Sequence, residues 1–291
     1  MKNKKLVFSY FNIYENDSLR DYLEDMALKG WELTSLNNFF LHFRACDPHP
    51  VRYCVEVMKG SGPYASNQTR PLKQYREFCQ EAGWDYRGTN GYLHVFSTDD
   101  LNAIPVETDS CERYRNIRKA AVSSCLAMGL LFMVLCLLNL FTCYEKRTLL
   151  CSQGAVVFVL LVSSGWFITD FLIWNQKARR SLSETGALPC PPWKSVLSKN
   201  RMAFSFALLF CGAVFLAAVS EAPSGAGVFL LPYFITYGIM LFVFSRLIRL
   251  LREKTAFSKT ANILIYWGAA LVAVILVTGI FCAAIFSHFL R

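Results

Sequence analysis

Two stretches of the chain repeat one another and decide the fold of its first third. Residues 22–31 read YLEDMALKGW, and residues 75–84 read YREFCQEAGW. The match extends without a gap from residues 22–43 onto residues 75–96, at a constant offset of 53. Each stretch has apolar residues at helical spacing followed by Gly-Trp, which indicates an amphipathic helix ended by a glycine in the left-handed conformation. The sequence therefore predicts an internal repeat.

Strand signals complete each repeat. Residues 6–13 precede the first helix, and residues 51–57 precede the second and alternate apolar with polar side chains. Two further short strands are expected after each Gly-Trp. The predicted order is βαββ–βαββ, for which an antiparallel sheet covered on one face by two helices is the natural solution. Ser18 and Asp21 resemble a capping box at the start of the first helix.

The rest of the chain is strongly apolar. Of the 291 residues, 54% are hydrophobic, which is too many for one soluble domain. Five stretches are each long enough to cross a bilayer as a helix, namely residues 120–141, 154–174, 202–220, 225–245 and 261–287. The predicted fold is an α+β N-terminal domain followed by an all-α membrane domain of five transmembrane helices.

The distribution of charge predicts an orientation. Residues 1–115 hold 14 Lys and Arg against 16 Asp and Glu, whereas residues 116–291 hold 16 against 5. With five crossings, 13 flanking Lys and Arg residues fall on one side and three on the other. Because cytoplasmic loops carry the excess of Lys and Arg, we expect a multi-pass cell-membrane protein with its N-terminus in the cytoplasm and its C-terminus outside. The lipid bilayer is thus an expected partner, and the acidic first part argues against direct binding of nucleic acid.

The same features predict the domain limits. We expect a cytoplasmic α+β domain over residues 1–98, an acidic linker and juxtamembrane helix over residues 99–119, and the transmembrane domain over residues 120–291. Asp109 and Glu112 are placed to cap a helix that continues into the first span. Such a helix would couple the N-terminal domain mechanically to the membrane part.

Further motifs occur in a fixed order along the first part of the chain. They are FLHF at residues 40–43, YCVEV at residues 53–57 and IPVETD at residues 104–109. With the two Gly-Trp stretches, this set resembles the family called domain of unknown function 2812, over roughly residues 5–118. The resemblance implies a bacterial membrane-associated protein, often from Gram-positive lineages and often encoded near PadR-type repressors. It implies no catalytic residue, and it does not extend to the five predicted spans.

Motifs for catalysis or cofactor binding are missing from the sequence. It contains no P-loop, no dinucleotide-binding glycine motif, no HExxH and no GxSxG. We therefore expect no enzymatic activity and no cofactor.

One group of metal-type ligands stands out. His42, Cys46, His49 and Cys54 lie within 13 residues. His42 and Cys46 share one face of a predicted strand, whereas a proline-rich turn separates the other two from them. We predict that the chain has no metal site. The alternative is a zinc site formed by these four residues.

Three other features are candidates for function. Asp170 is the one acid inside a predicted span, which suggests a transport or proton role, but a helix-end ion pair with Lys177 is the alternative. Cys143 and Cys151 flank the predicted outer loop and are candidates for a disulfide, or else free thiols. His94 is expected either to line a ligand cavity or to be a hydrogen-bonded core histidine.

A row of arginines follows the fourth predicted span. Arg246, Arg249 and Arg252 are spaced at every third residue and are expected to set topology and attract anionic lipid headgroups.

These observations predict a non-enzymatic membrane protein whose cytoplasmic domain binds a protein partner or a small ligand. Its expected context is envelope-stress or drug-response regulation. A component of a membrane transporter is the alternative from another class, and an integral membrane enzyme is a third.

Overall fold

The computed structural model describes residues 3–37, 40–58, 60–104, 106, 109–146, 151–221, 227–254 and 257–289. The first unit contains β1 (Lys4–Phe8), a 3₁₀ turn (Ile13–Glu15), α1 (Asn16–Leu28), β2 (Trp31–Leu36) and β3 (Phe40–Ala45). The second unit contains β4 (Arg52–Val57), α2 (Arg70–Glu81), β5 (Asp85–Thr89) and β6 (Leu93–Thr98). Each unit thus runs strand–helix–strand–strand.

The strands form two sheets instead of the single antiparallel sheet that the sequence predicts. The first has the order β1-β3-β2 and the second the order β4-β6-β5, and both are antiparallel. α1 packs against β4, and β2 packs against β5, but within the described ranges no hydrogen-bonded ladder joins the two sheets. The prediction of one sheet is wrong. Alternation of apolar and polar residues indicates where the strands lie and which face of each is buried, but it does not specify which strand edges pair in the folded chain.

Glycines end both helices, as predicted. Gly30 follows α1 with φ +77°, and Gly83 follows α2 with φ +83°. The predicted capping box of Ser18 and Asp21 is wrong, because α1 begins at Asn16. The turn before it is fixed instead by Asn12, whose backbone N–H donates to Glu15 Oε2 at 2.8 Å.

Five long helices complete the chain. They are α3 (Ser110–Lys146), α4 (Cys151–Thr185), α5 (Trp193–Glu221), α6 (Gly227–Lys254) and α7 (Lys259–Phe289). The backbone N–H of Cys111 donates to Asp109 Oδ1 at 2.8 Å, so Asp109 caps α3 as predicted. α3 packs on α4, α4 on α5 and α6 on α7, whereas α5 and α6 meet over a short length.

The main core runs through both units and into the long helices. α1 supplies its centre, both sheets cover it, and α3, α4 and α5 close it, with Leu23, Phe43, Val55, Val95, Ile117, Trp174 and Val196 all buried. A smaller cluster lies between α2 and the opposite face of the second sheet, and includes Cys79, Trp84 and Phe96. The core therefore continues past residue 98, and the limits 1–98, 99–119 and 120–291 stay a prediction.

The five predicted transmembrane helices are not supported. In the part of the chain that the structure describes, one helix is long and apolar enough to cross a membrane, over Lys259–Val277 of α7, and it is hardly buried within the chain. An apolar run does not by itself distinguish a spanning helix from one that packs on its own chain, and α3, α4 and α5 contribute to the core. The multi-pass orientation, which depended on five crossings, is not supported either.

Candidate ligand-binding cleft

A cleft of about 300 Å³ lies between α1, β4 and the first turns of α3. Arg20 and Glu24 reach it from α1, Arg52 and Glu56 from β4, and Arg113 from α3. We call this site the arginine cleft. No local motif joins these residues, since the fold brings them together from three separate elements.

Two of the three arginines are held by ion pairs. Arg113 Nη2 lies 2.7 Å from Asp17 Oδ1, and its Nε lies 3.6 Å from Glu56 Oε2. Arg20 lies 3.0 Å from the same Asp17 oxygen and 2.8 Å from Asp21. Asp17 therefore fixes both guanidinium groups at the rim of the cleft and balances part of their charge.

Arg52 has a different set of partners. Its Nη1 donates to the carbonyl oxygens of Leu101 at 3.1 Å and Ala103 at 2.6 Å. Its guanidinium carbon also lies 5.9 Å from the centre of the Trp84 ring. The indole is fixed in turn, because its N–H donates to the Ile104 carbonyl at 2.9 Å. Since carbonyl groups are neutral acceptors, the charge of Arg52 remains available to an anion in the cleft.

The carboxylates of the cleft are also constrained. Glu24 Oε1 accepts the backbone N–H of Tyr53 at 3.0 Å, and burial raises the pKa of Glu24. The Cys54 thiol donates to Glu56 Oε1 at 3.3 Å. Burial, followed by the charge of Glu56, raises the pKa of Cys54 well above its usual range. A thiol that stays protonated is neither a nucleophile nor a metal ligand.

The arrangement is suited to binding and orienting an anion. Guanidinium groups pair with carboxylate and phosphate oxygens through two parallel hydrogen bonds. The cleft lies at the lower end of the volumes of about 300–1,000 Å³ that hold small molecules. Arg20 and Arg113 already form ion pairs, so Arg52 is the arginine of the lining best placed to attract a negatively charged ligand.

Asp170 lies in a second polar cluster, between α4, α5 and the 3₁₀ turn. Its Oδ2 accepts the Tyr14 hydroxyl at 2.7 Å, and both its oxygens lie 2.9 Å from Lys199 Nζ. Lys199 also lies 2.7 Å from Glu15 Oε1. We call these four residues the Asp170 network. The cation beside Asp170 is thus Lys199 and not the predicted Lys177, and the network joins the first unit to α4 and α5.

The two other candidates from the sequence are buried. His94 is fully buried, as a core histidine would be, but neither of its ring nitrogens has a hydrogen-bond partner. Arg252 is buried against the second unit, whereas Arg246 on the same helix is exposed. The predicted row of headgroup-facing arginines therefore does not form one uniform surface.

The four metal-type ligands are not brought together. His42 lies in β3 between Leu6 and Ser35 of the neighbouring strands, and the backbone N–H of Cys46 donates to Gly30 O at 3.0 Å. His49 contacts the Asp47 carbonyl at 2.7 Å, and Cys54 faces Glu56. Across the described ranges, no group of three or more His, Cys, Asp or Glu side chains could hold a metal ion.

The candidate disulfide lies outside what the structure describes. The backbones of Cys143 and Cys151 belong to α3 and α4, but their side chains are not among the described ones. The bridge stays a prediction.

Sequence reasoning missed the residues that form both polar sites. In the sequence, Arg20, Arg52 and Arg113 contribute only to the charge balance of residues 1–115, and Lys199 only to the count of Lys and Arg residues that flank the predicted spans. Only the clustering of acidic residues near Arg20 and Arg113 could have drawn attention to them. No spacing rule relates residues so far apart in the chain.

Comparison with known families gives a match over the first part of the chain. The family model described as "Protein of unknown function (DUF2812)" matches residues 15–129. No curated protein and no solved structure matches the chain. The matched region contains every residue of the arginine cleft, together with α1, both β-hairpins and the first part of α3.

Proposed function

We propose that this chain, whose residues 15–129 belong to the DUF2812 family, is a membrane-associated binding protein. In this proposal its α+β half holds a small anionic molecule in the arginine cleft. The observation that carries it is the convergence of Arg20, Arg52 and Arg113 from three elements on one cleft of about 300 Å³.

The charges of the cleft support an anionic ligand. Arg113 and Arg20 share Asp17, so their positions are fixed before a ligand arrives. Arg52 rests on neutral carbonyl groups and the face of Trp84. A bound carboxylate or phosphate would pair with Arg52, which forms no ion pair among the described residues, and would leave the existing ion pairs in place.

Membrane association is supported by α7 and by exposed apolar side chains. Lys259–Val277 has the length and composition of a spanning helix. Large apolar side chains are also exposed on the other long helices, among them Leu126, Leu161, Leu208, Leu209 and Phe242. Lys254 precedes the α7 span and Lys259 is its first residue, which favours a cytoplasmic location for the preceding α+β half.

Signalling from the cleft to the helices is part of the proposal. Arg113 belongs to α3, a helix of 37 residues. An anion that binds the Arg113 guanidinium would therefore contact this helix directly. The Asp170 network ties the same unit to α4 and α5. These links support a sensing role, in which a ligand in the cleft changes the helices that a protein partner contacts. Envelope-stress or drug-response regulation is the context that we propose for it.

The internal repeat belongs to the same proposal. Both units have a strand–helix–strand–strand order, and both sheets have the first strand beside the last. Within the described residues the cleft is lined by side chains of the first unit, the second unit and α3 together. The repeat would thus create the cleft by setting two equivalent units side by side.

Binding of paired probes to the full-length chain in detergent tests the proposal. Succinate, glutarate and benzoate are each compared with the corresponding uncharged amide, by thermal unfolding and by equilibrium dialysis. We expect at least one acid to bind while its amide does not. Arg52→Gln should weaken that acid roughly 10- to 100-fold, the range for a charge-assisted hydrogen bond.

Arg70→Gln is the matched control, because Arg70 is exposed at the start of α2 and away from the cleft. It removes the same charge and should leave binding unchanged. Equal affinity of the Arg52→Gln and wild-type chains for every acid would refute the cleft as a binding site.

A further inference from the structure

A second group of cationic side chains lies where α6 meets the second unit. It consists of Arg76 on α2, His94 on β6 and Arg252 in the last turn of α6. None of these residues lines the arginine cleft. We call them the α6 basic cluster.

His94 is the most deeply buried member. It has no exposed surface, and neither Nδ1 nor Nε2 has a hydrogen-bond partner. Burial, followed by the charges of Arg76 and Arg252, lowers the pKa of His94 to about 3. The ring is therefore neutral and carries one N–H donor. A buried donor without an acceptor is costly and rare in folded proteins.

Arg252 reaches into the β5–β6 turn. Its Nη2 donates to the Thr89 carbonyl at 3.2 Å, and its backbone carbonyl accepts the N–H of Asn67 at 2.7 Å. Gly91 allows this approach, since a Cβ there would lie 3.2 Å from Arg252 Nη1. The Nε of Arg252 is buried and has no hydrogen-bond partner.

Arg76 lies on the other side of the cluster. Its guanidinium carbon is 4.7 Å from the centre of the Tyr86 ring, and its Nη2 donates to the Asn67 carbonyl. Its Nε is also buried without a hydrogen-bond partner. The residue as a whole is half-buried, so part of the Arg76 side chain is accessible to solvent.

The negative charges around the cluster do not balance it. Glu56 is the cross-strand neighbour of His94, but its carboxylate contacts Cys54 and Arg113. Glu253 acts on Arg252 from an exposed position on α6. No carboxylate among the described residues forms an ion pair with Arg76 or Arg252. The charges of Arg76 and Arg252 therefore both act on the unpaired imidazole of His94, and among the described residues no carboxylate offsets them through an ion pair.

We propose that Arg76, His94 and Arg252 bind a phosphate group, which links α2 and the second sheet to the end of α6. Two guanidinium groups match the two negative charges of a phosphate monoester. The three donors approach from three elements, which suits the several oxygens of a tetrahedral anion better than the two coplanar oxygens of a carboxylate. The group is carried either by a free phosphorylated solute or by a lipid headgroup.

Thermal unfolding of the full-length chain tests this site. In one arm, the delipidated protein in a maltoside detergent is titrated with inorganic phosphate against sodium chloride of equal ionic strength. In the other arm, the protein is placed in phosphatidylcholine nanodiscs with or without phosphatidic acid. We expect a rise in Tm that grows with ligand concentration in at least one arm. The first arm identifies a free phosphate, and a response in the second arm alone identifies a lipid.

Three variants assign the effect to the cluster. Arg76→Gln should abolish the rise, and because Arg76 is half-buried this chain is expected to fold. Arg246→Gln removes the same charge from an exposed position on α6 and should retain the rise. Arg52→Gln should also retain it, which distinguishes this site from the arginine cleft. No rise in either arm, or an equal rise in the Arg76→Gln chain, would overturn the proposal.

Discussion

Lys199 of α5 lies 2.9 Å from Asp170 of α4, and the ion pair is only partly accessible to solvent. The same ammonium group lies 2.7 Å from Glu15, whose side chain is 3% exposed. The Lys199 ammonium group therefore pairs with one carboxylate of the long helices and with one carboxylate of the first unit. Lys199 is thus an electrostatic link between the first unit and the long helices, beside the ion pair of Arg113 with Asp17.

Replacing Lys199 should destabilise the chain. In Lys199→Met the buried Glu15 carboxylate loses its cation, and we expect the free energy of unfolding to fall by about 2 kcal/mol. Unfolding of the full-length chain in detergent at neutral pH measures the loss. Lys177→Met is the control, since Lys177 is exposed on α4. An equal loss in both variants would mean that Lys199 has no special role.

The contribution of Lys199 should depend on pH in the alkaline range. Burial lowers its pKa, but the charge of Glu15 and hydrogen bonds to Glu15 and Asp170 outweigh burial, so the pKa is raised overall. The stabilisation is then complete below the unfolded pKa of about 10.4 and is lost as the pH rises through the folded pKa. The stability difference between wild type and Lys199→Met should be constant from pH 7 to about 10 and shrink above it. A decline already between pH 6 and 8 would assign the effect to another group.

Two glycines that end helices should differ in their tolerance of alanine. Gly83 has φ +83° and open space around it, so Gly83→Ala should cost only the conformational strain of about 1–2 kcal/mol. A Cβ at Gly30 would lie 2.8 Å from the Cys46 carbonyl oxygen. Gly30→Ala should therefore lower the unfolding midpoint clearly more than Gly83→Ala. Identical midpoints would show that the Cys46 segment moves aside at little cost.

The cysteines should react with a maleimide in a defined order. Cys111 is exposed, whereas Cys54 and Cys79 are buried, and burial raises the pKa of Cys79 to about 11. Burial and a hydrogen bond to Asp21 raise the pKa of the exposed Cys190 to about 12. At neutral pH we expect Cys111 to be labelled first, and Cys54 and Cys79 only after unfolding, as read by peptide mass mapping. Early labelling of Cys54 would show that the arginine cleft contains an accessible thiolate.

The α7 span should be required for membrane association. Leu271 is 62% exposed and Val272 57% exposed, and an arginine at the centre of a span costs about 3 kcal/mol. Leu271→Arg with Val272→Arg should reduce the fraction that resists alkaline carbonate extraction. Thr260→Arg places a positive charge at the end of the span, where it is tolerated. Full retention of the double variant in the membrane fraction would exclude α7 as the anchor.

Short-range patterns in the sequence are sufficient to predict much of the local structure of this protein. The apolar stripe of α1, the glycines at positions 30 and 83 and the cap of α3 at Asp109 could all be read from spacing. Each of these features depends on contacts within a few residues or on the conformational freedom of glycine, so the local sequence is sufficient to specify it. The motifs of the first third likewise identified the family that matches residues 15–129.

The pairing of the strands and the composition of every candidate site depend instead on long-range packing. Two sheets form because each strand edge chooses its partner among edges that are distant in sequence. Lys199 pairs with Asp170 from 29 residues away, and Arg113 meets Asp17 from 96 residues away. A local pattern contains no information about such contacts, because long-range charge pairs form only after the packing of the core has set the positions of their helices and strands.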